Sequence, residues 1–298
     1  MIKEEKSISK LGSWILASRP RTLPAAVVPV MVGSALAIYQ GVFYPLYSLI
    51  AILCSLLIQI GTNFTNDLYD HLKGADTIKR KGPRRVLASG LISVRGMFWG
   101  IFIVFFTAFI LGLYLVYSSG IVILWIGILS IIAGFAYTAG PFPLAYNGLG
   151  DIFVFIFFGI VGTTGTYYLH SQHFSNIAFI ISIPVGALIT NILIVNNYRD
   201  IEEDKNAGKK TLAVILGKEF SRFEYVFFIL ISFFIPFLLH FKYQFNFWIF
   251  LPYITLPIAI MLVKMLYGLT GTQLNKTLEL SAKFSALYGL LLSIGIIL

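Results

Sequence analysis

Cysteine is nearly absent: Cys54 is the single one in 298 residues, and it lies inside an apolar run. A disulfide within one chain is therefore impossible, and the thiol is expected to be an inert packing group and not a nucleophile. The four histidines show no zinc-type spacing with cysteine. No glycine-rich phosphate loop precedes Lys-Ser or Lys-Thr in a strand–helix setting. The polar, basic stretch up to Trp14 has no apolar segment followed by a small-residue cleavage site, so no signal peptide is expected there. Charge is scarce as well, at 12% of residues, against about 25% in soluble domains. In its place stand 58% apolar residues, 16% aromatic residues and a mean hydropathy of +0.86. Water could not solvate such a surface, so the surroundings must be a bilayer, with aromatic side chains facing lipid and interface.

A spanning helix needs about 20 mostly apolar residues. Nine such stretches are predicted, at 22–40, 46–66, 97–117, 121–138, 151–169, 177–197, 223–241, 246–266 and 279–298. The fold class expected is an all-α membrane protein of nine transmembrane helices, a single domain over 1–298. With the N-terminus placed in the cytoplasm, every Lys and Arg except Lys242 falls on the cytoplasmic side. That asymmetry follows the positive-inside rule and sets the orientation. It also accounts for the net charge of +9 without nucleic acid as a partner, together with attraction to anionic membrane lipids. The expected location is the inner or plasma membrane.

The longest polar segments, 63–96 and 196–222, follow the second and sixth spans, so both emerge on the same side. The first begins N-F-T-N-D-L-Y-D and the second N-N-Y-R-D-I-E-E-D. Asn66-Asp67-x-x-Asp70 is echoed by Asn196-Asn197-x-x-Asp200, as in an internal duplication. At 100° per residue, Asn63, Asn66, Asp67 and Asp70 share an arc of about 100° on one helix face. Asn196, Asn197, Asp200 and Asp204 share a similar arc on theirs. Such segments could be plain solvated loops. However, asparagines placed where an apolar helix should continue are costly at membrane depth and mark function. Two carboxylate faces at one depth repel unless hard divalent cations lie between them, and magnesium is commonly shared by carboxylates and substrate phosphates. The nearby Lys209 and Lys210 could hold remaining phosphate charge.

These passages resemble the UbiA superfamily of intramembrane aromatic prenyltransferases, and the resemblance covers nearly the whole chain. A-S-R-P-R-T-L-P-A-A-V-V-P-V at 17–30, N-D-L-Y-D-H-L-K-G-A-D at 66–76 and N-N-Y-R-D-I-E-E-D-K-N-A-G-K-K-T-L-A-V-I-L-G at 196–217 are most similar to the 1,4-dihydroxy-2-naphthoate branch of menaquinone synthesis. One departure is that Gly74 stands where the wider family often has a further aspartate, the next carboxylate being Asp76. The resemblance implies Mg²⁺, as two ions, on Asn66, Asp70, Asn197, Asp200 and Asp204. It implies Asp70, Asp200, Lys209 and Lys210 as the catalytic set. Diphosphate or substrate contacts are expected from Arg19, Arg21, Asn63, Asp67, Arg80, Arg84 and Tyr198. The implied partners are a polyprenyl diphosphate and an aromatic acceptor. The implied reaction is transfer of the polyprenyl group to dihydroxynaphthoate with loss of diphosphate and CO2, giving demethylmenaquinone. Another acceptor, such as 4-hydroxybenzoate or homogentisate, and a transporter role stand as alternatives.

Other positions carry lesser expectations. The loop from Tyr137 to Asn147 lacks any charge and reads as a proline-set turn or a lid. Asp151 suits a helix N-terminus. Gly159, Gly162 and Gly165 suggest close helix packing. His170 and His173 are expected at the outer interface.

Overall fold

Length decides where the polar groups emerge. In the computed structural model, which describes residues 9–74, 82 and 85–298, helix α3 spans Pro45–Leu72 and helix α8 spans Asn176–Asn206. With 28 and 31 residues they run about 42 and 46 Å, well beyond the ~30 Å hydrocarbon core. The excess turns at their C-terminal ends carry the Asn/Asp motifs. Helix continues there because the motif residues find partners in neighbouring elements, so the backbone need not break to satisfy them.

The other elements surround this pair, and among the described residues all regular structure is helical. Helices α1 (Lys10–Ser18) and α2 (Pro24–Tyr39) form one rod, broken by 51° around left-handed Arg19 and a short 3-10 turn. Helices α4 (Val94–Ser119) and α5 (Ile121–Ala136) are parted at Gly120, whose φ of 88° ends the first. Helices α6 (Gly150–Val154) and α7 (Gly162–Ser171) are joined without a break by a π-helical stretch, Phe155–Val161. Helix α9 (Leu212–Tyr243) is interrupted at Gly217. A 3-10 segment, Phe247–Thr255, leads into α10 (Leu256–Gly268), and α11 (Leu274–Ile297) closes the chain.

Among the described residues, seven helical stretches are long and apolar enough to cross a bilayer, and the bent α1–α2 pair makes an eighth. The remaining expected span, 121–138, appears as α5 with only 16 residues. The nine predicted apolar runs thus all appear as helix, but as seven full spans, one bent pair and one short helix. The protein is a multi-pass membrane protein.

Helix α8 is the hub. Of its most apolar window 72% is buried, against 17% for α3, which explains why its sequence is apolar on every side. Glycine lets it approach the π-helical stretch. A Cβ added to Gly159 would lie 2.5 Å from the Cα of Gly186, and one on Gly162 would lie 2.7 Å from Pro29. The expectation of close packing is met, backbone against backbone at Gly159 and against the Pro29 side chain at Gly162. His170 departs from the expected interfacial role. It is buried, accepts from the Tyr44 N–H at 3.1 Å through Nδ1, and so donates from Nε2 to Ser48 Oγ at 3.0 Å.

Candidate active site

The C-terminal ends of α3 and α8 open onto one cavity of about 670 Å³. Asn63, Asn66, Asp67 and Asp70 line it from α3, and Asn196, Asn197, Asp200 and Asp204 line it from α8. Away from this polar end the wall is apolar, with Ile58, Phe153, Phe157 and Phe158, and the cavity extends to Leu115, Ile123 and Leu169. Oxygen donors therefore crowd one end of a greasy chamber.

Each carboxylate is held by named partners. Asp70, 3% exposed, accepts from Tyr146 Oη at 2.8 Å and Lys209 Nζ at 3.1 Å on Oδ1, and from Arg85 at 3.2 Å on Oδ2. Lys209 comes from the loop after α8 and also stands 3.9 Å from Asp204. One ammonium thus joins the two motifs. Asp200 is gripped by Arg199, which donates from Nε at 2.7 Å and from a terminal nitrogen at 2.6 Å. This fork makes a neutral pair from two groups that would each be costly to bury alone. The remaining Arg199 donors reach Asn275 Oδ1 at 2.6 Å and Asn196 Oδ1 at 2.8 Å. Asp67 accepts from the Val86 N–H at 3.2 Å, which ties the segment after the first motif to α3. Asn63 donates to the Ser18 carbonyl at 2.9 Å and fixes the end of α1. Asn66 accepts from the Thr138 hydroxyl.

The expected site residues separate into groups. Asn63, Asn66, Asp67, Asp70, Asn197, Asp200, Asp204 and Lys209 are brought together on the cavity. Arg19 and Arg21 line its rim, Arg21 largely exposed and paired with Glu279 at 3.4 Å. Lys210 is exposed and turns its side chain away, while its backbone N–H donates to the Tyr146 carbonyl at 3.1 Å. Tyr198 is buried outside the cavity wall, its ring 5.6 Å from the Arg222 guanidinium. Arg80, Arg84 and Asp76 lie outside the described residues.

Several contributors escaped the sequence reading. Arg199, Tyr146, Thr138, Asn275 and Glu279 all meet the cavity or its acids. A signal existed for the first two. An arginine beside an aspartate at the end of an apolar helix must be paired if buried, and a charge-free loop on the basic side invites a packed role.

The donor set suits a hard divalent cation. Among the described residues no three His, Cys, Asp or Glu side chains converge on one point. A cation here would therefore draw on the amide oxygens of Asn66 and Asn197 beside the carboxylates, and on oxygens of a bound substrate, which is the coordination habit of magnesium.

Residues 26–287 match the UbiA prenyltransferase family. The chain belongs to that family. UbiA-family relatives include the 1,4-dihydroxy-2-naphthoate octaprenyltransferase of Haemophilus influenzae, 40% identical over 226 residues, covering 72% of this chain and 73% of that protein. The protein of the same description from Bacillus subtilis is 31% identical over 304 residues, covering 96% and 92%. Among solved structures, a UbiA homolog from Archaeoglobus fulgidus bound to DMAPP and Mg2+ superposes with a TM-score of 0.65 at 16% identity, over 96% of this chain and 99% of that one. That likeness confirms the UbiA fold.

Proposed function

We propose that this chain transfers a polyprenyl group from its diphosphate to 1,4-dihydroxy-2-naphthoate, releasing diphosphate and CO2 and forming the demethylmenaquinone skeleton at the quinol level. The observation that carries the reading is the joining of two Asn/Asp motifs at one end of an otherwise apolar cavity. The names borne by relatives at 31–40% identity point to the same donor and acceptor.

Asn66, Asp70, Asn197, Asp200 and Asp204 would hold the magnesium, with Asp67 and Asn63 bracing α3. When bound, the metal neutralises the diphosphate and so eases its departure. Lys209 and Arg85, which screen Asp70 here, are the local cations for phosphate oxygens. Arg199 aims Asp200 through its two hydrogen bonds. The C–O bond of the donor breaks with its electron pair leaving on the diphosphate. The apolar wall excludes water from the allylic cation, and the faces of Phe153, Phe157 and Tyr137 stabilise it. Arg19 and Arg21 at the rim suit the carboxylate of the acceptor, whose electron-rich ring attacks before CO2 leaves. Charge asymmetry supports a cytoplasmic-facing position for this end of the bundle, in the inner or plasma membrane.

The test is purified protein in lipid with dihydroxynaphthoate and a polyprenyl diphosphate, with and without Mg²⁺, run beside 4-hydroxybenzoate and homogentisate. The decarboxylated prenylated naphthoquinol, CO2 and diphosphate should appear only with the metal. Asp70→Ala and Asp200→Ala should each lower turnover by about 10²–10³-fold, the range expected when a transition-state electrostatic partner is removed. Full activity in either variant, or preference for a benzoate acceptor, would overturn the assignment.

A further inference from the structure

The loop between α5 and α6 carries no charge from Tyr137 to Asn147, yet it touches both motif ends. Towards α3, the Thr138 hydroxyl donates to Asn66, and the Thr138 carbonyl accepts from Lys73 Nζ at 2.9 Å. Towards α8, the Tyr146 carbonyl accepts from the Lys210 N–H at 3.1 Å. The Tyr146 side chain then does two things at once. Its hydroxyl donates to Asp70 Oδ1 at 2.8 Å. Its ring centre lies 4.1 Å from Lys73 Nζ and 4.9 Å from Lys209 Nζ.

The chemistry explains why a phenol fits. It has one donor for a carboxylate and an electron-rich face for ammonium groups, and it brings no charge of its own. The two lysines repel each other, and the ring lets them stand side by side. Burial lowers the proton affinity of Lys73, Asp70 raises it and Lys209 lowers it again. A guanidinium or ammonium in place of the phenol would compete with a metal ion for Asp70. A purely apolar ring would leave Oδ1 to Lys209 alone and draw that ammonium onto the carboxylate.

We propose that Tyr146 is a positioning residue of the transferase site: its hydroxyl aims Asp70 and its ring seats Lys209, so the charge-free loop fixes how the two motif helices face each other. This rests on the transferase reading above, which gives Asp70 to the metal. Partners of metal ligands typically account for 10–100-fold in metal affinity.

The experiment uses the full chain in lipid nanodiscs, as wild type, Tyr146→Phe, Tyr146→Leu and Phe142→Ala, the last an exposed position of the same loop. Mn²⁺ binding in the presence of inorganic diphosphate is followed by electron paramagnetic resonance, and turnover is measured separately against Mg²⁺ and donor. Tyr146→Phe should weaken Mn²⁺ binding about 10-fold and raise the half-saturating Mg²⁺ alike. Its kcat at saturating metal should stay near wild type, as should its melting temperature. Tyr146→Leu should add a rise in KM for the prenyl diphosphate, because Lys209 loses its seat. Phe142→Ala should change neither. Unaltered Mn²⁺ affinity in Tyr146→Phe overturns the proposal, as does a loss shared equally by Phe142→Ala. Should the leucine variant not fold, the phenylalanine variant still decides, since it lacks one oxygen. A wild type that binds Mn²⁺ but releases no diphosphate would refute the transferase reading alone, with the Mn²⁺ titration still judging Tyr146.

Discussion

Asp200 shows how a single side chain can be both expensive and useful. Its carboxylate is 4% exposed and depends on the Arg199 fork. Removing one member of such a pair typically costs about 3–5 kcal/mol, because the other charge stays buried and uncompensated. Arg199→Ala should therefore lower the melting temperature in metal-free buffer. Mg²⁺ with inorganic diphosphate should recover part of the loss by supplying positive charge at the same carboxylate. A melt in detergent with and without those additions checks this, and a variant as stable as wild type without metal would contradict it. Arg199→Lys should recover less than a full guanidinium, since an ammonium cannot span both oxygens. The aspartates and asparagines themselves were readable in the sequence, because polar side chains at helical spacing in an apolar run have few innocent explanations. Their partners were not. Arg199 and Arg85 looked like more of the basic excess, and Lys209 could not be told from Lys210 until the loop placed one inside and one out. Tyr198 lies buried outside the cavity wall, which could not be read for a similar reason, since helical phase alone does not say which neighbour covers a given face.

At the scale of elements, the helices were legible because apolar length is a direct demand of the bilayer. Their ends and breaks were less so. The bend between α1 and α2 and the π-helical link between α6 and α7 come from tertiary packing, which short-range pattern does not encode. The Gly159–Gly186 contact makes the point quantitative. A Cβ at position 159 would need space already held by backbone, and backbone yields less readily than a side chain. Gly159→Leu should reduce the yield of monodisperse protein and cost at least the ~1–3 kcal/mol of an overpacked core. Gly112→Ala serves as the contrast, because a Cβ there meets nothing within 4 Å, and its melt should match wild type. The sequence left the loop from Tyr137 to Asn147 open between a proline-set turn and a lid. Its prolines set a turn, and that turn brings Thr138 to Asn66 and Tyr146 to Asp70.

At the scale of the whole molecule, the distribution of Lys and Arg makes a claim about orientation that can be checked chemically. With Cys54 as the lone native thiol, one substitution gives a cysteine-free background. On it, Lys205→Cys should react with an impermeant maleimide only from the cytoplasmic side, and His173→Cys only from the opposite side. The reverse pattern would invert the proposed topology. A second consequence comes from α5. Its 16 residues amount to about 24 Å of helix, some 6 Å less than a typical hydrocarbon layer. Trp125, Leu129 and Ile132 point outward from it, while Ile123, Ile128 and Ile131 form part of the chamber wall. Lipids beside this helix must shorten or the helix must shift, and either adjustment is felt directly by the space where a prenyl tail would lie. The enzyme should thus respond to acyl-chain length as to an effector, working best in thin bilayers and slowing as the lipid tails lengthen.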